Sequence, residues 1–181
     1  MPDARIEHAL LSRRGVMKVG LLASTLLATA GLTASLSGCS SSDRACGFAV
    51  LRNSDLPFLQ AVIPVMLAGS VRPSLMPGAN DATLHKLDNN LDRLSPALLT
   101  LTQQLFDVLA MPVTRGPLTG VWSGWENATP ERIRDFLERW QNSSLSLLRM
   151  GHASLLQLVM MSWYEQPESW AHCGYPGPPT V

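Results

Sequence analysis

The sequence predicts an all-α protein, a small helical bundle of about five helices with an irregular C-terminal arm rich in Pro and Gly. Apolar residues recur at three- and four-residue spacing, most clearly between Leu84 and Leu94, which is typical of one helix face. Two segments, Ser95-Pro96 and Thr129-Pro130, pair a capping residue with a proline, the usual start of a helix. Apolar and polar residues do not alternate convincingly anywhere, so no strand is predicted.

The first helix is expected to begin after Ser54 and to end near Gly69. A kink is expected at Pro64, because proline removes an interior hydrogen bond. The segment from Val71 to Gly78 contains two prolines and is predicted as a loop.

The second helix is expected to start at a cap provided by Asp81 or Thr83. Its acidic pair, Asp88 and Asp92, is assigned to a solvated face. The third helix starts at Ser95-Pro96 and is expected to end before Pro112.

Residues 112–128 are interrupted by Gly and Pro and are predicted to be irregular. A fourth helix follows Thr129-Pro130, and a fifth runs from the break at Asn142–Ser144 to about Trp163. The fifth helix is apolar on most sides, so it is expected at the centre of the core. Residues 164–181 form the predicted C-terminal arm.

The N-terminal region predicts export. Ser12 to Lys18 follows the twin-arginine pattern, with Arg13 and Arg14 as its pair, and the apolar run from Val19 ends in Leu36-Ser37-Gly38-Cys39. That ending is similar to a bacterial lipobox, in which the thiol of Cys39 would take the lipid. An uncleaved membrane anchor is one alternative, and cleavage without lipidation is another.

This organisation divides the chain into three parts: residues 1–38 as signal peptide, 39–53 as tether and 54–181 as one helical domain. The twin-arginine translocase would deliver the folded protein to the periplasm, where a lipid on Cys39 would hold it at the membrane. The signal peptide takes four of the 14 basic and two of the 14 acidic residues, which leaves a net charge of −2. That balance argues against nucleic-acid binding.

Two cysteines remain after Cys39, one near each end of the domain. In an oxidising compartment, Cys46 and Cys173 could pair with each other, or either could form a disulfide with a partner chain. His172 beside Cys173 also raises the hypothesis of a small hydrolase with a thiolate nucleophile. A structural or cross-linking role for Cys173 is the favoured interpretation.

The residue patterns of common cofactor sites do not occur. There is no G-x-G-x-x-G after a strand, no C-x-x-C-H, and the histidines are scattered. No catalytic, cofactor-binding or metal-binding residues are therefore predicted in this chain. The five tryptophans fall in its C-terminal third, where they could build the core or anchor a partner. The predicted interface residues are Trp163, Trp170, Tyr175, Pro176 and Pro178.

Four segments together carry a resemblance to a known family. They are the twin-arginine leader, Ala82–Asp88 (ATLHKLD), Phe136–Trp140 (FLERW) and Gly174–Pro178 (GYPGP). In this order they resemble the gluconate 2-dehydrogenase subunit 3 family, the small accessory subunits of membrane-bound flavoprotein dehydrogenases. The likeness covers most of the chain after the leader, and the lipobox-like Cys39 is not expected of every member.

The resemblance implies a non-catalytic subunit. In that family FAD lies in a large subunit of the glucose-methanol-choline type, which lacks an export signal of its own. The small subunit supplies the signal and binds the folded flavoprotein, and a multihaem cytochrome c commonly accepts the electrons. The alternative is a stand-alone envelope lipoprotein with a structural or binding role.

Overall fold

The computed structural model describes residues 43–177, and this part of the chain is all-α, as predicted. It contains seven α-helices rather than about five, together with two short 3-10 turns at Pro73–Leu75 and Trp125–Asn127. The helices are α1 (Leu56–Met66), α2 (Met76–Asp92), α3 (Pro96–Ala110), α4 (Pro112–Thr119), α5 (Pro130–Gln141), α6 (Ser146–Tyr164) and α7 (Pro167–Cys173). None of these helices is long and apolar enough to cross a membrane.

The core forms around α1, which packs against α2, α5 and α6. Aromatic rings dominate its centre. Phe58 meets Phe106 edge to face with ring centroids 5.1 Å apart, and Phe136 meets Trp140 in the same way at 5.0 Å. These rings are fully or almost fully buried, so they supply much of the hydrophobic stabilisation of the bundle.

The two predicted cap-and-proline helix starts are confirmed. The side chain of Ser95 accepts a hydrogen bond from the N–H of Leu98 at the start of α3, and Thr129 accepts one from Arg132 at the start of α5. Each cap satisfies a backbone donor that has no partner within its helix.

The predicted start of the second helix is wrong. α2 begins at Met76, so the end of the expected loop is already helical. Pro77 lies in the first turn, where its missing N–H costs nothing. Thr83 is buried inside the helix and donates its hydroxyl hydrogen to the carbonyl of Ala79 at 2.6 Å, so it does not cap the helix.

Two segments predicted to be irregular are helical. α4 lies within residues 112–128, and α7 lies within the predicted C-terminal arm, whose described non-helical residues are 165–166 and 174–177. Both helices begin with proline in the first turn and end at a glycine with positive φ, Gly120 at 73° and Gly174 at 69°. The proline and the glycine at the two ends mark the helix boundaries, although α4 also contains Gly116 and Pro117 in its interior.

Residues 44–53 pack against the helices and do not form the predicted tether. Ala45 and Leu51 are buried, and the carboxylate of Asp88 in α2 accepts hydrogen bonds from the N–H groups of Ala49, Val50 and Leu51 at 2.7–2.8 Å. The assignment of Asp88 to a solvated face is therefore wrong, because its side chain binds three backbone donors at a buried position.

Arg52 joins the same N-terminal segment to α3. Its guanidinium lies 2.9 Å from the buried carboxylate of Asp55 and 2.8 Å from Asp107. Hydrogen bonding to Asp55 and the nearby charges of both carboxylates raise the pKa of Arg52. This network fixes the N-terminal segment beside α3.

Candidate functional site

Helices α3 and α6 leave large apolar side chains exposed. On α3, Leu98 and Leu101 are 53% and 62% exposed, and on α6, Leu147, Met150 and Met161 are 75%, 63% and 52% exposed. Leu98 and Leu101 are three positions apart, as are Leu147 and Met150, and Met161 lies about three turns after Met150. Each set therefore lies on one face of its helix. The prediction that this last long helix occupies the centre of the core is therefore wrong, because one of its apolar faces is uncovered.

A groove of about 380 Å³ lies between these two helices. We call it the α3–α6 groove. Apart from its polar end, the lining comprises Leu94, Leu98, Thr102, Ser154, Gln157, Leu158 and Met161. An apolar groove between two helices is a suitable surface for the apolar face of a partner helix.

One end of the α3–α6 groove is polar, with Asn90, Arg93 and Glu165 in its lining. Glu165 forms an ion pair with Lys86 of α2 at 2.9 Å, and the amide nitrogen of Asn90 donates to Glu165 at 3.4 Å. These contacts hold the carboxylate in place at the end of the groove. A partner with a polar group beyond its apolar face would therefore bind in a defined direction.

The position of α6 is fixed by close packing at Gly151. A Cβ atom at this position would lie 2.6 Å from Cζ3 of Trp140 and 3.5 Å from Cδ1 of Leu105. The indole of Trp140 is itself held, since its Nε1 donates to the carbonyl of Leu118 at 2.9 Å. Because α3, α5 and α6 meet at this contact, close packing fixes α6 against its two neighbours.

The predicted interface residues do not form one surface. Trp163 is 4% exposed and belongs to the core, so it is not an exposed anchor in this structure. Trp170 is half-buried and meets exposed Tyr175 edge to face at 5.5 Å, while its Nε1 donates to the carbonyl of Tyr164. Pro176 is exposed beside them, and Pro178 lies outside the described residues. Trp170, Tyr175 and Pro176 therefore remain a candidate contact region.

Cys46 and Cys173 are both exposed free thiols and are not bonded to each other. The thiol of Cys173 lies 3.4 Å from the carbonyl of Trp170 within its own helix. A partner disulfide through either cysteine stays a prediction. No group of three His, Cys, Asp or Glu side chains between residues 43 and 177 is arranged to hold a metal ion.

The export signal at Arg13 and Arg14 and the possible lipidation site at Cys39 lie outside the described residues. These assignments remain predictions from the sequence.

No protein-family model, curated protein or solved structure matches this chain.

Sequence reasoning missed the α3–α6 groove because it assigned every apolar stripe to the core. One feature of the sequence indicates the groove. α6 has apolar residues around most of its circumference, whereas a helix on the outside of a bundle needs only one apolar face. The additional apolar face of α6 is the exposed one. The groove offers apolar area between two helices and a polar end formed by Asn90, Arg93 and Glu165.

Proposed function

We propose that this chain is a non-catalytic accessory subunit, which binds a folded flavin-dependent dehydrogenase and supports its export by the twin-arginine pathway. The leader with Arg13 and Arg14 indicates a cargo that is folded before transport. The resemblance of four segments to small dehydrogenase subunits indicates the kind of cargo, a glucose-methanol-choline-type flavoprotein. FAD would then be bound by the partner and not by this chain.

The observation that carries the proposal is the uncovered apolar face of α6 together with that of α3. Leu98 of α3 and Met161 of α6 both line the α3–α6 groove and are each more than half exposed. Contiguous exposed apolar surface is characteristic of a protein interaction site. A second protein that binds to this surface of α3 and α6 before export would explain two features together. It would be the folded cargo that the leader indicates, and it would cover the exposed apolar side chains.

The complex would lie in the periplasm, where lipid on Cys39 would anchor it to the membrane and a multihaem cytochrome c would accept its electrons. In this arrangement the small subunit determines where the enzyme is located, and the large subunit performs the oxidation.

Co-expression tests the proposal directly. The partner is a large polypeptide with G-x-G-x-x-G near its start and no leader, produced with and without this chain. We expect FAD-containing enzyme in the periplasm only when this chain is present. Equal export and equal dehydrogenase activity in both cultures would overturn the proposal.

A stand-alone envelope lipoprotein is the second candidate, favoured by the lipobox-like ending at Cys39. The two candidates differ in what is purified from membranes. A monomer without flavin absorbance in the eluate would favour the lipoprotein, whereas co-purification of a flavoprotein favours the accessory subunit.

A further inference from the structure

A second apolar surface lies around α4, beyond the C-terminal end of α3. Val113 is 83% exposed, Trp122 is 73% exposed and Met111 is 53% exposed. Pro117 is also exposed. We call these four residues the α4 patch, and none of them lines the α3–α6 groove. Large apolar side chains that are exposed close together are characteristic of a surface that contacts a protein or a membrane.

The α4 patch is continuous because the ring of Trp122 lies on the helix. A Cβ atom at Gly116 would lie 2.6 Å from Cε3 of this ring, so the glycine leaves room for the indole. Val113 precedes Gly116 by three positions and Pro117 by four, which places the three residues on one side of α4. The indole is thus held beside Val113 while most of its surface is exposed, so little side-chain freedom remains to be lost on contact.

The charges around the α4 patch are mainly basic. From Met111 to Gly124 the only charged residue is Arg115, and the next acidic residue along the chain is Glu126. Arg139 of α5 reaches the end of α4, where its guanidinium donates to the carbonyl of Leu118 at 3.4 Å. Exposed apolar side chains with basic neighbours suit the headgroup region of an anionic bilayer, and tryptophan is enriched at that depth.

The described chain begins on the same side of the protein. The carbonyl of Asp43 accepts a hydrogen bond from the N–H of Asn53 at 3.0 Å. The neighbouring Arg52 lies 2.8 Å from Asp107 in the last turn of α3. Met111 follows one turn later, and its N–H donates to the carbonyl of Asp107 at 3.0 Å. These contacts connect the start of the described residues to the α4 patch.

The proposed membrane attachment is close to that start in sequence. Cys39 precedes Asp43 by four residues, which span at most about 14 Å. An uncleaved leader would set a similar limit, since its apolar run ends at Leu36 and seven residues span at most about 25 Å. Either attachment would hold the side of the domain that carries the α4 patch near the bilayer.

We propose that the α4 patch is a membrane-contact surface, whose Val113 and Trp122 enter the interface of the bilayer that holds the N-terminal region. The inference rests on the membrane attachment in the proposed function and does not depend on the flavoprotein. The attachment and the patch together fix the orientation of the domain. The α3–α6 groove stays free for a protein, because Leu98 in its lining is about 20 Å from Met111 along α3.

Quenching of tryptophan emission by brominated lipids tests this contact on the full chain, without the flavoprotein. The protein is reconstituted into vesicles of phosphatidylethanolamine and phosphatidylglycerol, with acyl chains that are either plain or brominated. Trp125, Trp140 and Trp163 are buried, and the emission of Trp122 is the difference between wild type and Trp122→Phe. We expect bromine to remove most of that difference, because the indole would contact the acyl chains.

Val113→Glu should reduce the quenching of Trp122 at least about threefold, because a carboxylate keeps its water and resists entry into the bilayer. Leu75→Glu is the matched control. Leu75 is 54% exposed and lines a cleft with Trp163, about 18 Å along α6 from Gly151 and its contact with Trp140. This variant should leave the quenching unchanged.

The proposal is overturned if the protein does not sediment with the vesicles, if bromine leaves the emission of Trp122 unchanged, or if Leu75→Glu lowers the quenching as much as Val113→Glu. Absence of lipid quenching together with weaker flavoprotein binding by Val113→Glu would assign the α4 patch to a protein contact instead. Failure of the flavoprotein to bind or to be exported is measured separately and leaves the vesicle result intact.

Discussion

The carboxylate of Asp88, on α2, accepts a hydrogen bond of 2.8 Å from the backbone N–H of Leu51, which lies 37 residues earlier in the chain. The same side chain accepts bonds from Ala49 and Val50. One carboxylate thus satisfies three consecutive backbone donors that no helix or strand supplies with acceptors. It attaches the segment that leads from the N-terminal region to the helical bundle.

Replacing Asp88 with Ala should destabilise the fold by about 3 kcal/mol, because three backbone N–H groups lose a charged acceptor and that of Leu51 is buried. Urea denaturation followed by circular dichroism measures the change. Asp92→Ala is the matched control, since Asp92 is exposed on the same helix. Equal losses in the two variants would contradict the role assigned to Asp88.

Gly151→Ala should destabilise the protein by about 1–3 kcal/mol, because the new Cβ would lie 2.6 Å from the ring of Trp140. The matched control is Gly78→Ala on α2, where no atom lies within 4 Å of the added Cβ. Alanine favours a helix over glycine, so that variant should gain about 0.5–1 kcal/mol. Thermal unfolding of both variants tests the contact, and a stabilised Gly151→Ala would show that the packing is looser than described.

His152 should make stability depend on pH. Partial burial lowers its pKa below the ordinary value of 6.5, since burial disfavours the charged ring. Above pH 6.5 the ring of His152 is neutral in both the folded and the unfolded protein, so the full stability is present. As the pH falls below 6.5 towards the lower pKa of the folded state, the unfolded chain binds the proton first, so stability decreases.

His152→Gln should therefore flatten the pH dependence of the free energy of unfolding between pH 8 and pH 5. Urea midpoints at a series of pH values measure it, and the difference between wild type and variant removes the contribution of the carboxylates. The comparison at pH 8 is the internal control because His152 is then neutral in both states. An unchanged slope in His152→Gln would refute the prediction.

The helix starts at Ser95 and Thr129 could be predicted because a cap followed by proline is a local signal. The helices α4 and α7 could not be recognised in the same way. Each is short, and its first-turn proline and terminal glycine resemble a loop when only composition is considered. α7 becomes evident when those residues are placed at its two ends, whereas α4 also contains Gly116 and Pro117 in its interior, where the sequence pattern disfavours a helix.

The role of Asp88 and the uncovered face of α6 depend on tertiary contacts. Nothing near Asp88 in sequence indicates that residues 49–51 return to it. The amphipathic pattern shows that Leu98 and Met161 lie on apolar faces, but only the packing shows that no other helix covers them. A pattern specifies which side of a helix is apolar, whereas the bundle decides which apolar side is buried.

Leu98→Glu combined with Leu101→Glu should weaken binding of the flavoprotein about tenfold or more, because charges would replace apolar contacts at the proposed interface. The fold should lose little stability, since both side chains are already more than half exposed. Titration calorimetry with the purified partner measures binding. Val113→Glu is the matched control, because Val113 is 83% exposed on α4, away from the groove. Unaltered affinity in the double variant would exclude the groove as the docking site.

Replacing Arg13 and Arg14 together with Lys should retain both this chain and its flavoprotein in the cytoplasm, because the proposed partner has no signal of its own and the twin-arginine pair is the feature that the translocase recognises. Cell fractionation with an activity assay measures the distribution. Arg5→Lys, in the same charged region but outside the motif, is the control and should leave export intact. Retention of this chain alone, with the flavoprotein still in the periplasm, would show that the partner is exported independently. The leader would then act only for the chain that carries it.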